Sequence, residues 1–572
     1  MTRRRPFLAL LIGLCGAWPA LAADGAASAQ RAAPATAAAT GHAAIASAHP
    51  EATRAGLETL RAGGNAFDAA VTVAAALGVV DPGGSGLSGG GFFLLHRASD
   101  GRDILIDARE VAPRAATRDM FLDEAGDPVP RKSVDSALGA GIPGEPAGMA
   151  LLAAHYGRLP AAQSLAPALR LARTGFALTP RLRQEVQGKL RRFAENPEVA
   201  RNFLRKGAVP ELGTVIRQPE LAATLDYLAK HGLESFYHGE LAQKAVAGVR
   251  ALGGIWSEQD LAEYRAIERE PVVGQYRGAR IVSAPPPSSG GVGLLEGLNI
   301  LANFDLGKVD STTRRHLIIE AERRLHRDRA IYLGDPDYVA MPLQRLTSPE
   351  YAAGLAAGIH TAKATPSANL PGLGAGASQG PQTTHFSIVD AEGNRVAATL
   401  TVNFTFGSGL TIAGTGMFLN DEMDDFSMKP GVPNGYGLVG QEANAIAPGK
   451  RMLSSMTPTF VETRDKVMVV GSPGGSYIIG MVLLATLDFM DGRSASQIVG
   501  APRIHHQYLP DVVSAEPGAL TDAEISGLRA MGHTVQAGNR RWGNLQVVIQ
   551  DRAGGAIDAA ADPRGDGLAQ VQ

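Results

Sequence analysis

Cysteine is almost absent from the 572 residues: only Cys15 carries a thiol. It falls within a removable leader, so the mature chain is expected to hold no disulfide and no cysteine nucleophile. Charge of one sign is equally lacking, since 54 Lys and Arg oppose 56 Asp and Glu, for a formal net charge of −2. The basic excess that holds nucleic acid is therefore missing. The apolar run from Phe7 to Ala17 is too short to span a bilayer, no other segment reads as transmembrane, and no internal repeat stands out. Thirteen histidines are present, but His505 and His506 are adjacent and His316 and His326 lie ten apart on a charged helix, neither being zinc-ligand spacing. Surface or satisfied core histidines are expected, with no metal and no other cofactor.

What is present is an ordinary globular composition, 45% apolar and 19% charged. Length alone suggests two to four domains. Residues 1–22 read as a secretory signal: Arg3-Arg4-Arg5, the apolar run, then Ala20-Leu21-Ala22 as cleavage site. Arg4-Arg5-Pro6-Phe7-Leu8 also approaches a twin-arginine signal. An exported protein, periplasmic or secreted, is expected. Ala, Thr and Ser dominate from about Ala23 to Ala44, which predicts a mobile lead-in.

The most informative junction is at Thr383. A loop-like stretch, Gly374 to Gln382, ends abruptly at Thr383-Thr384-His385-Phe386-Ser387-Ile388-Val389-Asp390. Were the Gln382–Thr383 bond cut, Thr383 would carry a hydroxyl nucleophile and a free α-amine together. An α-amine has a reference pKa of about 7.7–8.0, against about 10.4 for lysine, so it can accept a proton near neutrality. An ordinary strand threonine is the alternative. Phe386, Ile388, Val396, Ala398, Leu400, Val402 and Phe404 alternate with Thr383, His385, Ser387, Thr399, Thr401 and Asn403 around the turn Asp390-Ala391-Glu392-Gly393-Asn394, predicting a hairpin. Thr383 then faces Thr401, or Asn403 if the register slips by two.

Other motifs fail on context. Gly84-Ser85-Gly86-Leu87-Ser88-Gly89 fits a dinucleotide fingerprint, and Gly86 to Gly90 a serine-hydrolase elbow. Both need a strand before and a helix after, whereas a helical run from Phe67 to Val79 precedes and the strand Phe92 to Leu95 follows. Between a strand at Val467 to Val470 and a helix at Tyr477 to Met490 lies Gly471-Ser472-Pro473-Gly474-Gly475-Ser476, a tight turn or an anion-holding set of backbone amides.

The block from Thr383 through Asn403 to Phe406-Gly407 resembles the signature of the γ-glutamyltranspeptidases, or glutathione hydrolases, of the N-terminal-nucleophile hydrolase superfamily. Further agreement lies in Gly63 to Ala70, Asp107-Ala108-Arg109-Glu110, Pro285 to Gly291, Asn420 to Phe426, Ser454-Ser455-Met456 and Gly471 to Ser476. The resemblance covers nearly the whole mature chain. It implies an α/β (α+β) fold, a four-layer αββα sandwich, built from a large subunit of residues 23–382 and a small catalytic subunit of residues 383–572, intertwined in one domain. It implies Thr383 as nucleophile, Thr401 orienting it, and the Gly474 and Gly475 amides as oxyanion donors. Arg109, Ser454 and Ser455 would hold the substrate carboxylate, and Asn403, Glu422 and Asp425 its ammonium. Tyr436 would tip a lid within Lys429 to Arg451. The substrates would be γ-glutamyl donors such as glutathione, with water, amino acids or dipeptides as acceptors. A cephalosporin or glutaryl acylase of the same superfamily, and a noncatalytic exported binding protein, are the alternatives. Where the family usually has glycine, this chain has Ser88.

Overall fold

The computed structural model describes residues 36–39, 42–370 and 383–572. The leader with Cys15, the loop from Gly374 and the expected cut at Gln382 lie outside the described residues. Period-two alternation becomes two seven-stranded sheets. One runs, in spatial order, through Thr36–Ala39, Ile557–Ala561, Gln546–Asp551, Lys466–Gly471, Thr459–Glu462, Ala279–Ser283 and Val272–Tyr276. The other runs through Leu568–Val571, Ala44–Ser47, Thr384–Val389, Arg395–Thr401, Gly90–Arg97, Arg102–Ala108 and Ile267–Arg269. Described residues from Pro34 onward form one compact unit.

The sheets face each other through Thr384–Val389 and Arg395–Thr401 on one side and Lys466–Gly471 and Gln546–Asp551 on the other. Helices Pro50–Arg61 and Ala66–Val80 cover the outer face of the Thr384 sheet, and Gly290–Leu301, Ile478–Met490 and Ala495–Gly500 cover that of its partner. The order helix, sheet, sheet, helix is the expected sandwich. Ala66–Val80 is apolar nearly all round because it is buried on both sides. Asn65 and Asp68 form its capping box, and the Ala66 amide donates to Asp390 Oδ2 at 2.9 Å. The Gly-Asn-Ala-Phe-Asp block thus ties this helix to the turn of the Thr383 hairpin. Among the described residues no helix is long and apolar enough to cross a membrane.

One expectation needs correction. Within the stretch expected to be mobile, Thr36–Ala39 pairs antiparallel with Ile557–Ala561 at a sheet edge. Ladder bonds come from backbone groups, to which side-chain composition is blind. The charged helix Ser311–Tyr332 buries His316, Glu320, Glu322, Arg323, Arg324, His326 and Asp328. Some of its polar side chains pair within the helix and others meet tertiary neighbours remote in sequence, such as Arg323 with Asp511 and Glu320 with the Thr365 amide, while neither ring nitrogen of His326 has a hydrogen-bond partner among the described residues. His316, Glu320 and His533 bring ligand-type atoms within 4.8 Å of one another, a grouping that spacing alone did not reveal.

Candidate active site

The hairpin register pairs Thr384 with Leu400 and His385 with Thr399, which sets Thr383 opposite Thr401, the first of the two registers expected. Thr383 Oγ1 donates to Thr401 Oγ1 at 3.3 Å, and Thr401 Oγ1 accepts from the Asn403 amide at 2.7 Å. Asn403 sits in the left-handed region, φ 73°, a conformation Asn tolerates better than most residues. Its side chain is held there by donation from Nδ2 to the Asp421 carbonyl at 2.9 Å. The polar face of the hairpin is buried between the sheets. His385 approaches Thr399 Oγ1 at 2.8 Å and Ser387 Oγ at 3.2 Å, and burial pushes its pKa down to about 3. It is a neutral hydrogen-bonder.

Arg109, at the end of Arg102–Ala108, is wholly buried. Its guanidinium donates to Glu422 from Nη1, to Asp425 from Nη2, and to the Met452 carbonyl from Nε at 3.2 Å. Among the described residues the guanidinium makes no ion pair with the neighbouring Asp107. Asp107 instead binds Arg269 and Arg451, while Glu110 lies 3.7 Å from Arg109. Glu422 and Asp425 stand on a short 3-10 turn, Glu422–Asp425, fixed by Asn420, whose Oδ1 accepts from the Glu422 and Gly141 amides. Three carboxyls thus surround one guanidinium. Burial pushes Glu422 up to about 7, raises Asp425, and drives Glu110 well above the usual range, with Arg109 opposing each. Both oxygens of Glu110 and one of Glu422 have no hydrogen-bond partner among the described residues. Such crowding favours the neutral form, most of all at Glu110, which lies farther from the guanidinium than the other two carboxyls.

Arg109, Thr383, Thr401, Asn403, Glu422, Asp425, Ser454, Ser455, Tyr436 and Gly475 line one cavity of about 20 Å³. Gly474 lies instead on the wall of a neighbouring cavity. The two glycines turn the chain from Lys466–Gly471 into a 3-10 turn at Gly475 and the helix Ile478–Met490, with φ 147° and 54°. A Cβ on Gly475 would fall 2.5 Å from the Tyr436 ring, so only glycine fits beneath that ring. Tyr436 stacks on Phe404 at 4.5 Å between centroids and donates from its hydroxyl to the Asn403 carbonyl at 2.9 Å. Ser454 Oγ accepts from the Met456 amide at 3.1 Å, whereas Ser455 Oγ has no partner among the described residues.

A sequence model described as Gamma-glutamyltranspeptidase matches residues 52–571. The chain belongs to the γ-glutamyltranspeptidase family. It is 42% identical over 525 residues to a glutathione hydrolase proenzyme of Escherichia coli (strain K12), covering 91% of this chain and 90% of the relative. Against a glutathione hydrolase proenzyme of Pseudomonas aeruginosa it is 40% identical over 523 residues, covering 90% and 92%. Among solved structures, a cephalosporin acylase from Bacillus halodurans superposes with a TM-score of 0.81 at 28% identity, covering 94% and 96%.

Sequence reasoning missed several groups in this γ-glutamyltranspeptidase-family site. Glu110 entered only as the last residue of a matching block, and nothing local marks it as buried. Asp424 accepts from Ser133 Oγ at 2.6 Å and from the Gly435 amide at 2.8 Å, tying the loop bearing Tyr436 to the acidic turn. Gln507 accepts from Ser476 Oγ at 2.7 Å and donates to the Tyr436 carbonyl at 3.4 Å. Arg329, buried beside Asp425, donates to Ser289 Oγ at 3.0 Å, and burial draws its pKa down to about 10. It belongs to the helix read as merely charged.

Proposed function

We propose that this chain is an exported, self-processing γ-glutamyltransferase and glutathione hydrolase with Thr383 as N-terminal nucleophile. The observation that carries this reading is the fully buried Arg109 with Glu422 and Asp425 in the same cavity as the Thr383 hydroxyl. A γ-glutamyl group carries a carboxylate and an ammonium on one carbon, and so needs a planar cation beside carboxylates. Arg109 would meet the carboxylate with the Ser455 hydroxyl, while Glu422, Asp425 and Asn403 would take the ammonium.

Maturation would begin with attack of Thr383 Oγ on the Gln382 carbonyl, giving an ester and freeing the α-amine, and water would then hydrolyse that ester. This leaves subunits of residues 23–382, after leader removal, and 383–572. In the mature enzyme the Thr383 hydroxyl proton passes to its own α-amine as Oγ attacks the γ-glutamyl carbonyl. Thr401 holds Oγ in place. The Gly474 and Gly475 amides would receive the oxyanion, a role worth about 2.7–4 kcal/mol per donor. The amine protonates the departing nitrogen, and water or an acceptor amine then attacks the ester. The loop bearing Tyr436 would open to admit the donor and then exclude water. Deleting Lys429 to Gly440 should lower the ratio of transfer to hydrolysis.

Thr383→Ala is expected to give one uncut band on a denaturing gel and to lose at least about a thousandfold in γ-glutamyl-p-nitroanilide turnover. Two subunits in that variant would remove self-processing from the scheme. The acylase alternative shares the nucleophile, but a glutaryl side chain lacks the ammonium and would leave the acidic cluster unmatched. Preference for a glutaryl over a γ-glutamyl anilide by the wild-type protein would decide for it.

A further inference from the structure

Arg329, on the helix Ser311–Tyr332, is 5% exposed. Among the described residues it nonetheless forms no ion pair and makes a single side-chain hydrogen bond, from Nε to Ser289 Oγ at 3.0 Å. A guanidinium taken out of water with so few partners is costly unless opposite charge lies close by. Arg323 and Arg324, buried on the same helix, do have carboxylates: Asp511 and Glu320 for the first, Glu320 for the second. At Arg329 burial works against the charge, Asp425 favours it and Arg109 opposes it.

Ser289 carries that contact on to the Thr383 cavity. Its amide and its hydroxyl both donate to the Ser454 carbonyl, at 2.9 and 2.7 Å, and the Ser454 amide donates to the Pro287 carbonyl at 2.8 Å. Ser288 Oγ donates to the Met456 carbonyl at 2.6 Å. The segment that brings Ser454 and Ser455 to the cavity wall is thus laced to residues 287–289. Arg329 sets the direction of the Ser289 hydroxyl, because with Nε donating to its oxygen the hydroxyl proton is left for Ser454.

The titratable groups that act on Asp425 come from several elements: Arg109 and Glu110 just after Arg102–Ala108, Glu422 and Asp424 from its own turn, Tyr436 from the loop after that turn, and Arg329. Arg109 and Arg329 are the cations among them. We propose that Arg329 is a positioning residue for the donor site: through Ser289 it fixes the segment bearing Ser454 and Ser455, and its charge supplements that of Arg109 at Asp425. The inference rests on the γ-glutamyl-transfer reading, in which that segment receives the donor carboxylate and Asp425 its ammonium. Arg329 is not among the residues lining the Thr383 cavity, so it serves both ends of the γ-glutamyl group without touching it.

The test follows hydrolysis of γ-glutamyl-p-nitroanilide against pH. In the wild-type protein kcat/KM should fall on the acid side as the carboxyl cluster protonates. Arg329→Met should move that limb to higher pH by about one unit, the usual effect of losing one nearby opposite charge, and Arg329→Lys should restore it. Ser289→Ala should leave the limb in place and raise KM about fivefold at unchanged kcat, as when a ground-state contact is loosened. Ser289→Ala/Arg329→Lys should show a KM no higher than the higher of its two parents, because both substitutions remove the same hydrogen bond. A limb that keeps its wild-type position in Arg329→Met, or KM increases that multiply in the double variant, overturns the inference while leaving γ-glutamyl transfer standing. Where Arg329→Met does not accumulate as folded protein, the double variant decides. A wild-type protein that releases no p-nitroaniline overturns the γ-glutamyl reading and this inference with it.

Discussion

Glu320 and Glu422 are both buried carboxylates in contact with arginine, yet their surroundings drive them in opposite directions. Glu320 is shared by two arginines: Oε2 accepts from Arg324 at 2.6 Å, and Oε1 from Arg323 at 3.3 Å and the Thr365 amide at 3.0 Å. Burial works to raise its pKa, but those cations and hydrogen bonds outweigh it and hold the carboxyl below its usual range. Glu422 shares one arginine with Asp425 and Glu110, keeps an oxygen without a partner among the described residues, and is pushed up to about 7. The first cluster is saturated and binds the helix Ser311–Tyr332 to its surroundings. The second holds more negative charge than its cation can balance, which suits a pocket that receives a ligand ammonium.

The comparison can be broken by removing one carboxyl from each cluster. Glu320→Ala leaves buried Arg324 without a carboxylate and Arg323 with Asp511 alone, and should cost about 3–5 kcal/mol, read as an earlier urea midpoint. Glu110→Gln replaces a carboxyl expected to be protonated by its neutral isostere and should stay within about 1 kcal/mol of wild type. Equal losses would erase the distinction. Glu422→Gln should sharpen it through function: kcat/KM for a γ-glutamyl anilide should fall roughly 10- to 100-fold, with a much smaller change for a glutaryl anilide. A common loss on both substrates would take the ammonium away from Glu422.

The pH dependence has opposite signs in the two clusters. Glu422 has a raised native pKa, so its contribution to stability is full below about 4.5, its unfolded value, and is lost as pH rises through about 7. Glu320 has a lowered native pKa; its contribution is present above 4.5 and lost as pH falls below it. Unfolding free energy should therefore decline from about pH 4.5 to 7, and Glu422→Gln should flatten that decline without touching the acid limb. Donor binding should strengthen over the same window, because the ammonium favours the ionised carboxylate. The smallest effect is expected from Tyr436→Phe, which removes the bond to the Asn403 carbonyl: about 1 kcal/mol, or roughly fivefold in transfer rate.

Much of the Thr383 hairpin was legible in the chain, because strand alternation and a five-residue turn are local patterns whose register follows from counting. The helix after Gly475 and the helix-before-strand order around Gly86 were legible for the same reason. The burial of the hairpin's polar face was not. Alternation says which residues share a face, and a half-solvated sheet and an inner sheet of a sandwich read alike until the second sheet is in place. The burial of the charged helix was not legible for a related reason, since local composition does not disclose that Thr365, Asp511 and His533 come to meet it.

Sequence alone was enough to nominate Thr383 and the facing Thr401, since strand period is a property of neighbouring residues, and the family resemblance pointed to the blocks carrying Arg109, Glu422 and Gly475. Tertiary structure alone decided that three carboxyls crowd one guanidinium and that Gly474 and Gly475 face different cavities. Those facts depend on burial and on distances between segments hundreds of residues apart, where desolvation and Coulomb interactions are set by the folded surroundings.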